Sequence, residues 1–158
     1  ISARKNVSYL VSELKQSVKD FLCLIIGAGD KMEECKQLAA NDNRFRFEGY
    51  RPNVSDYLSI ADLYLSASKS EGLPLSVLEA INMGVPCLLS DIRPHKEIEE
   101  NMSVDGVSCF PLSSGALTST FNKAICTCFN HKAIEQKASQ IYSAEVMTKE
   151  YEKIYSTL

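Results

Sequence analysis

The sequence predicts an α/β protein, a Rossmann-like three-layer α/β/α arrangement around a parallel sheet. Strand-like and helix-like segments alternate along most of the chain, which is typical of parallel strands joined by covering helices. The segment at residues 21–26 is continuously apolar and stops at Gly27-Ala-Gly29, a pattern that predicts a strand buried on both faces. A length of 158 residues, 45% of them hydrophobic and 23% charged, predicts one well-buried domain over residues 1–158.

The predicted elements follow one another in a regular order. Strands are predicted at residues 21–26, 44–48, 62–68, 85–90 and 107–110. Helices are predicted at residues 7–18, 31–40, 54–61 and 75–83. Residues 117–158 form the C-terminal part of the domain and are predicted to be almost entirely helical, with two helices that are broken around His131.

The beginning of the chain departs from this order. Residues 1–5 resemble a loop and lead directly into the helix at residues 7–18, where a sheet of this kind normally has a strand first. Either the sheet is one strand smaller than usual, or its first strand lies ahead of Ile1. The missing initiator methionine favours the second alternative, a truncated first strand.

Composition excludes several classes of function. A net charge of −3 gives no electrostatic reason to expect nucleic acid as a partner. No apolar run approaches the roughly 20 residues that span a bilayer. The six cysteines lack the spacing of a zinc site, and Cys23 and Cys87 lie inside apolar runs, where cysteine acts as a small hydrophobe. The expectation is a reduced, cytoplasmic protein without a bound metal.

Two loops that follow predicted strands are candidates for a ligand site, because open parallel sheets bind ligands beyond the carboxyl ends of their strands. Gly27-Ala-Gly29-Asp30 would let a ligand approach the backbone closely, although tight strand-to-helix turns also use glycine. Residues 70–76 are more specific: Pro74 suits the first turn of a helix, whose free N–H groups form a natural phosphate site. Glu71 lies beside that site and could accept hydrogen bonds from sugar hydroxyls.

The helix at residues 75–83 carries a further acidic residue. Almost every residue of this helix is apolar, which predicts burial nearly all round, except for a stripe of Ser76, Glu79 and Asn82 at a spacing of three. A carboxylate in a buried helix needs a partner. Glu79 either pairs with a lysine or caps a loop, or it faces the cleft and binds two neighbouring hydroxyls of a ribose. His95 follows another strand and is expected in a loop or at the start of a helix.

Taken together, these residues resemble a known family. Glu71-Gly-Leu-Pro-Leu-Ser-Val-Leu-Glu79 resembles the Glu-x7-Glu signature of retaining GT-B glycosyltransferases, in particular family 4, also called glycosyl transferases group 1. The neighbouring segments resemble the C-terminal domain of that family in the right order: Ile26-Gly-Ala-Gly-Asp30, Phe47-Glu-Gly-Tyr50, Ala61-Asp-Leu-Tyr-Leu-Ser66, Ala80-Ile-Asn-Met-Gly-Val-Pro86, Ser90-Asp91, Glu97 and Tyr151-Glu-Lys-Ile-Tyr155.

The resemblance implies a role for each matching position. Glu79 would hold the ribose hydroxyls of a nucleotide-sugar donor, Glu71 would lie against the donor sugar, and Lys5 would pair with the diphosphate. The alternative for both Lys5 and Arg51 is a plain surface residue. The remaining donor-binding positions that the resemblance implies are Gly27, Gly29, Tyr50, Arg51, Gly72, Leu73, Leu75, Ser76 and Val77, largely through their backbone.

Two features of the family are missing from these 158 residues. The Gly-Arg pair that precedes the lysine would fall just ahead of Ile1, and the N-terminal domain that binds the acceptor is absent. The fragment alone is therefore expected to bind a donor weakly and to be inactive. The resemblance implies transfer of a hexose with retained configuration and without a metal, and no Asp-x-Asp suggests one.

The sequence leaves the donor and the acceptor open. A UDP-sugar is the first expectation, with a glycan or lipid-linked acceptor in polysaccharide or glycoconjugate biosynthesis. The intact enzyme could then associate peripherally with the cytoplasmic membrane face. A nucleotide-sugar epimerase of the same architecture would need further acid–base residues that the sequence does not identify. A non-catalytic nucleotide-sugar-binding module would have no reason to keep both Glu71 and Glu79. A flavodoxin-like protein would not explain them either.

Overall fold

The structure, a computed structural model, describes residues 1–156, without the side chains at positions 144, 147, 150, 151 and 154. The strands of the described residues are β1 (Cys23–Ile26), β2 (Phe45–Gly49), β3 (Tyr64–Ser66), β4 (Cys87–Ser90) and β5 (Val107–Phe110). The helices are α1 (Val7–Leu14), α2 (Met32–Ala39), α3 (Val54–Ser59), α4 (Leu75–Asn82), α5 (Arg93–Met102), α6 (Ala116–Ala124), α7 (His131–Tyr142) and α8 (Ala144–Tyr155).

All strand pairs are parallel, as the alternating pattern predicts. Strand β1 pairs with β2, and β4 lies between β3 and β5. Along β4, Cys87 and Leu89 pack into one hydrophobic cluster with residues of α3, α4, α5 and α7, while Leu88 packs into a second cluster with residues of α1, α2 and α6. Because successive strand side chains point to opposite faces, helices cover both faces of this sheet and the predicted three-layer arrangement is confirmed.

The predicted elements lie in the right places, with differences at their ends. The helix α5 was not anticipated, because its apolar residues are sparse and its mean hydropathy is low, although Ile98 and Met102 are buried at a spacing of four. The C-terminal part contains three helices where two were expected. The expected break before His131 is present, and a second one occurs at Ser143, whose backbone is extended. The side chains of Tyr151 and Ile154 in the C-terminal motif, and residues 157–158, lie outside the described residues.

The expectation that the first strand is buried on both faces is wrong. Only Ile25 of β1 is fully buried, whereas every residue of β4 is. The reason is that the parallel sheet is divided into two pieces, β1-β2 and β3-β4-β5. An open cavity of about 760 Å³, called the slot here, lies between β1 and β3, and all residues of both strands line it. Strand β1 therefore borders open space where an inner strand would border another strand.

In the described part of the chain, no helix is both long enough and apolar enough to cross a membrane.

Candidate functional site

The segment at residues 1–5 crosses the carboxyl ends of β1 and β3. At one end, the amino group of Ile1 donates a hydrogen bond to the carbonyl oxygen of Ala28, just after β1. At the other end, the carbonyl oxygen of Arg4 accepts a hydrogen bond from the backbone N–H of Lys69, just after β3, at 2.9 Å. The contact with Ile1 requires a glycine at position 29, because a Cβ there would lie 2.0 Å from the carbonyl oxygen of Ile1.

This segment brings two cations to Glu71. Lys5 donates from Nζ to Oε1 of Glu71 at 2.7 Å, and Arg4 donates from Nη1 to Oε2 at 3.1 Å. The hydroxyl of Ser68 donates to the same Oε1, also at 2.7 Å. The side chain of Glu71 is only 4% exposed, whereas those of Lys5 and Arg4 are 39% and 54% exposed. The structure thus places the two predicted catalytic residues, Lys5 and Glu71, in direct contact.

The surroundings of Glu71 favour its ionised form. Burial by itself raises the pKa of the carboxyl group, but the hydrogen bonds from Lys5 and Ser68 and the positive charges of Lys5 and Arg4 together outweigh burial and lower the pKa below its ordinary value. Glu71 is therefore a carboxylate at neutral pH. An ionised carboxylate that is held by two cations accepts hydrogen bonds and has no proton to donate.

A polar network continues behind Glu71 into the core. The Ser90 hydroxyl donates to the carbonyl oxygen of Ser68 at 2.6 Å, and Nδ1 of His95 donates to the carbonyl oxygen of Ser90 at 2.9 Å. His95 is fully buried, and burial lowers its pKa, so the ring is neutral at pH 7. Its Nε2 atom is buried without a hydrogen-bond partner among the described residues. His95 therefore lies at the start of α5, as expected. Its side chain points into the core behind the site.

The N-terminus of α4 differs in detail from the expectation. Pro74 precedes the helix as its N-cap, and its carbonyl oxygen accepts hydrogen bonds from Val77 and Leu78. Leu75 donates its N–H to the carbonyl oxygen of Leu73 at 2.9 Å. The backbone N–H groups of Leu75 and Val77 are therefore not free, because the loop and the first helical turn close on themselves locally.

The exposure of α4 also needs correction. Leu75 is 61% exposed, Met83 is 38% exposed, and Glu79 is exposed on the same side, so the helix is not buried nearly all round. Glu79 consequently needs no buried partner. With Lys5, Ser68 and Ser76 it lines the end of the slot that lies at the carboxyl ends of the strands. Ser76 accepts a hydrogen bond at 2.8 Å from the hydroxyl of Tyr64, whose burial raises its pKa to about 12.

The predicted base-binding loop lies next to the glycine loop. Gly27 donates its N–H to the carbonyl oxygen of Gly49 at 2.7 Å, which joins the ends of β1 and β2. Tyr50, the next residue, is 76% exposed. Arg51 donates from Nη2 to Oε2 of Glu48 at 3.0 Å, and this salt bridge is partly exposed. Both predicted residues thus lie on an open surface, and Arg51 already has a partner.

Four contributors to this site were given no individual role from the sequence, although Tyr64 and Ser90 lie in motifs that carry the resemblance: Arg4, Ser68, Ser90 and Tyr64. Arg4 adjoins Lys5 and could have been included for its charge. The Ser68 hydroxyl contacts Glu71 only three residues further on, whereas Ser90 contacts Ser68 across 22 residues of chain, which depends on tertiary packing. In the described part of the chain, no group of three or more His, Cys, Asp or Glu side chains could hold a metal ion, and the six cysteines are free.

The fold and the geometry define an α/β protein whose charged site lies at the carboxyl edge of parallel strands. Comparison with known protein families identifies the family to which the chain belongs. A family model described as "Glycosyl transferases group 1" matches residues 1–130. The chain belongs to this family.

Curated relatives agree at low identity. The Escherichia coli UDP-Gal:alpha-D-GlcNAc-diphosphoundecaprenol alpha-1,3-galactosyltransferase is 28% identical over 107 residues, which are 62% of this chain and 28% of that protein. The Bacillus anthracis N-acetyl-alpha-D-glucosaminyl L-malate synthase is 27% identical over 146 residues, which are 86% of this chain and 37% of that protein. The chain therefore spans roughly a third of the length of these relatives.

Solved structures share the fold. The crystal structure of HepE from Anabaena in complex with UDP and glucose superimposes with a TM-score of 0.87 and 22% identity, covering 100% of this chain and 46% of that one. The pneumococcal O-GlcNAc transferase GtfA in complex with UDP and GlcNAc gives a TM-score of 0.74 and 21% identity, covering 98% and 34%. These matches confirm the predicted fold class, a Rossmann-like half of a GT-B glycosyltransferase.

Proposed function

We propose that residues 1–158 form the nucleotide-sugar-binding domain of a retaining glycosyltransferase. The observation that carries the proposal is the grouping of Glu71, Glu79, Lys5 and Arg4 around the N-terminus of α4, at the carboxyl edge of the sheet. Two carboxylates suit the hydroxyls of a sugar and a ribose, and two cations beside a helix N-terminus suit a diphosphate. A nucleotide sugar contains all three groups in sequence: the ribose, the diphosphate and the donor sugar.

In this arrangement each side chain contacts a different part of the donor. Glu79, on the exposed stripe of α4, accepts hydrogen bonds from the two ribose hydroxyls. Glu71 accepts hydrogen bonds from hydroxyls of the donor sugar while its contacts with Lys5 and Ser68 keep it in place. The free donors at the α4 N-terminus are the N–H groups of Gly72, Leu73 and Ser76, because those of Leu75 and Val77 are engaged within the loop.

The reaction breaks the bond between the anomeric carbon and the diphosphate oxygen, and a bond forms between that carbon and an acceptor oxygen. Negative charge develops on the leaving diphosphate, and Lys5 together with Arg4 and the α4 N-terminus stabilises it. The acceptor proton passes to the departing diphosphate oxygen on the same face of the sugar, which retains the configuration. Glu71 is not assigned as the nucleophile, because three hydrogen bonds from Lys5, Arg4 and Ser68 draw electron density from its oxygens, while an acceptor position remains for a sugar hydroxyl. No metal is required.

The donor that we propose first is a UDP-hexose. The crystal structures of HepE and GtfA, which share the fold, are complexes with UDP. Gly27, Gly29, Tyr50 and Arg51 would then surround the base. The E. coli relative is a galactosyltransferase for GlcNAc-diphosphoundecaprenol, a lipid-linked acceptor. We accordingly propose that the intact enzyme receives a glycan or lipid-linked acceptor on a separate domain, in glycoconjugate or polysaccharide biosynthesis at the cytoplasmic membrane face, and that residues 1–158 alone are inactive.

Calorimetric titration of the chain with UDP, GDP and ADP tests the proposal. We expect one nucleotide to bind, and Glu79→Gln to weaken it at least about tenfold, the effect of losing one charged hydrogen bond of about 1.4 kcal/mol. Glu135→Gln on the exposed surface of α7 is the matched control and should bind like the unchanged chain. If no nucleotide binds, or if both variants bind equally, a non-catalytic module becomes the better description. An assay of the intact enzyme that detects an epimerised nucleotide sugar without transfer would favour an epimerase.

A further inference from the structure

A row of buried polar groups leads from the start of α5 to Glu71. The Ser68 hydroxyl donates to Oε1 of Glu71 at 2.7 Å, and the carbonyl oxygen of Ser68 accepts a hydrogen bond from the Ser90 hydroxyl at 2.6 Å. His95 in turn contacts Ser90 through Nδ1. Ser68, Ser90 and His95 are all almost completely buried. The end of β4 and the first turn of α5 are thus joined to the loop that carries Glu71.

The hydrogen-bond partners of His95 decide which of its ring nitrogens carries the proton. Nδ1 lies 2.9 Å from the carbonyl oxygen of Ser90 and 3.2 Å from the hydroxyl oxygen of the same residue. A carbonyl oxygen only accepts, and the Ser90 hydroxyl proton is directed at Ser68, so Nδ1 is the protonated nitrogen and donates to Ser90. Nε2 then carries a lone pair, which is buried and has no donor partner in the described part of the chain.

Packing alone gives no reason for a histidine at position 95. A buried nitrogen without a hydrogen-bond partner destabilises a folded protein, whereas the side chain of leucine has no polar group to satisfy. The feature that leucine would not supply is the N–H group that holds Ser90. The contact with Ser90 therefore explains why this core position is polar.

Ser68 is the contact of Glu71 that a bound donor leaves in place. The other two contacts come from Lys5 and Arg4, whose side chains are partly exposed and are also assigned to the diphosphate. A cation that turns toward a diphosphate holds the carboxylate less tightly. Ser68 is buried and has no such second role. The orientation of Glu71 toward a donor sugar then depends mainly on Ser68.

We propose that His95 is a positioning residue for Glu71. Its N–H group holds Ser90, and the Ser90 hydroxyl holds the carbonyl group of Ser68. The Ser68 hydroxyl then directs Oε1 of Glu71, so that the carboxylate faces the hydroxyls of the donor sugar. His95 itself does not touch the donor, because its ring is fully buried. In naming the donor sugar the proposal rests on the proposed function, whereas the link from His95 to Glu71 does not.

Three substitutions separate positioning of Glu71 from simple support of the fold. His95→Leu removes the N–H group and fills the position with an apolar side chain. His95→Asn keeps an N–H donor at about the place of Nδ1, but its smaller side chain leaves a cavity and lowers the free energy of unfolding. Ser90→Ala removes the middle link of the row and is the smallest change, so it decides the question if His95→Leu does not fold. His131→Gln, at the exposed start of α7, is the control.

The first readout is the pKa of Glu71 in the chain without nucleotide, measured by NMR of its carboxyl carbon during a pH titration. The hydrogen bond from Ser68 is one of the interactions that lower this pKa. We expect the pKa to rise in His95→Leu and Ser90→Ala, because that hydrogen bond loosens, and to stay unchanged in His95→Asn. The same pKa in all variants would overturn the proposal.

The second readout is the affinity for UDP-glucose compared with that for UDP, measured by calorimetry. UDP lacks the sugar that Glu71 contacts, so its affinity should change by less than about twofold in every variant. The affinity for UDP-glucose should fall by at least about fivefold in His95→Leu and Ser90→Ala, the effect of about one hydrogen bond. His95→Asn should bind both nucleotides like the unchanged chain, although it is less stable.

Equal losses of affinity for UDP and UDP-glucose, or losses that follow the melting temperatures of the variants, would show that His95 only supports the fold. The positioning proposal and the proposed function fail separately. If the unchanged chain binds neither nucleotide, the proposed function fails, and the pKa of Glu71 still decides whether His95 positions it. If UDP binds and the pKa of Glu71 does not respond to His95→Leu or Ser90→Ala, only the positioning proposal fails.

Discussion

Lys5 and Glu71 are 66 residues apart in the chain, and Nζ of the lysine lies 2.7 Å from Oε1 of the glutamate. The contact ties the segment before α1 to the loop before α4, at the carboxyl edge of the sheet. Because the glutamate side chain is 4% exposed, the pair is shielded far better than the exposed ion pairs of this protein. It positions both predicted catalytic residues before any donor is bound.

Loss of this ion pair should lower stability. We expect Glu71→Gln to reduce the free energy of unfolding by about 1–2 kcal/mol, because the charged hydrogen bonds from Lys5 and Arg4 are lost at a nearly buried group. Urea denaturation at pH 7 measures the change. Glu33→Gln is the control, since Glu33 makes a 2.7 Å ion pair with Lys36 but is 76% exposed, and it should change stability by less than about 0.5 kcal/mol. Equal effects of the two substitutions would show that burial of Glu71 does not strengthen its ion pair.

Gly84 should not tolerate a side chain. Its φ is +74°, which disfavours other residues, and a Cβ would lie 2.5 Å from the carbonyl oxygen of His131 at the start of α7. We expect Gly84→Ala to lower the free energy of unfolding by about 2–4 kcal/mol, because the backbone is strained and the end of α4 is pushed away from α7. Gly72→Ala provides the comparison: nothing lies within 4 Å of a Cβ there, and its φ is not in the left-handed region. A thermal melt in which both variants lose the same stability would contradict the packing of α4 on α7.

His95 should make folding sensitive to mild acid. Burial lowers its pKa in the folded protein below the ordinary value of 6.5, while the negative charge of Glu71 opposes burial and the positive charge of Lys5 adds to it. The unfolded chain therefore binds a proton first as the pH falls, so the stabilising contribution is complete above about pH 6.5 and declines below it. Urea denaturation between pH 7.5 and 5.5 measures the slope of the free energy of unfolding against pH.

Two substitutions test whether His95, and not His131, causes the pH dependence of stability. His95→Phe is expected to flatten the slope between pH 7.5 and 5.5, whatever its effect on absolute stability. His131→Gln, at the exposed start of α7, should leave the slope unchanged. A slope that survives His95→Phe would mean that the buried imidazole is not the group that takes up the proton.

The sequence predicted the sheet well because its strands are short apolar runs that end in glycine or polar residues. The order of the elements and the parallel pairing followed from alternation alone. Helix α5 was missed because only a narrow stripe, including Ile98 and Met102, faces the core. The burial of β1 was overestimated, because an apolar run does not reveal whether a neighbouring strand is present on both sides.

The sequence predicted which loops form the site, but not which side chains contact one another there. Glu71, Glu79 and Lys5 were identified from spacing and family resemblance, and the structure groups them at one edge. The chain of contacts from Ser68 through Ser90 to His95 was not predictable, since each link depends on tertiary packing. The exposure of Leu75 and Glu79 was also missed, because an apolar helix can keep an open side where a ligand or another domain belongs.

The most direct test of the central claim is an NMR titration of the ¹⁵N-labelled chain with UDP-glucose, repeated with Lys5→Ala. We expect the largest amide shifts at Gly72, Ser76 and Glu79, with Cys126 unaffected, and a binding affinity that falls about tenfold in the variant because a charged contact to the diphosphate is lost. Shifts that centre elsewhere on the surface, or an affinity that Lys5→Ala leaves unchanged, would contradict the placement of the donor diphosphate beside Lys5 and α4.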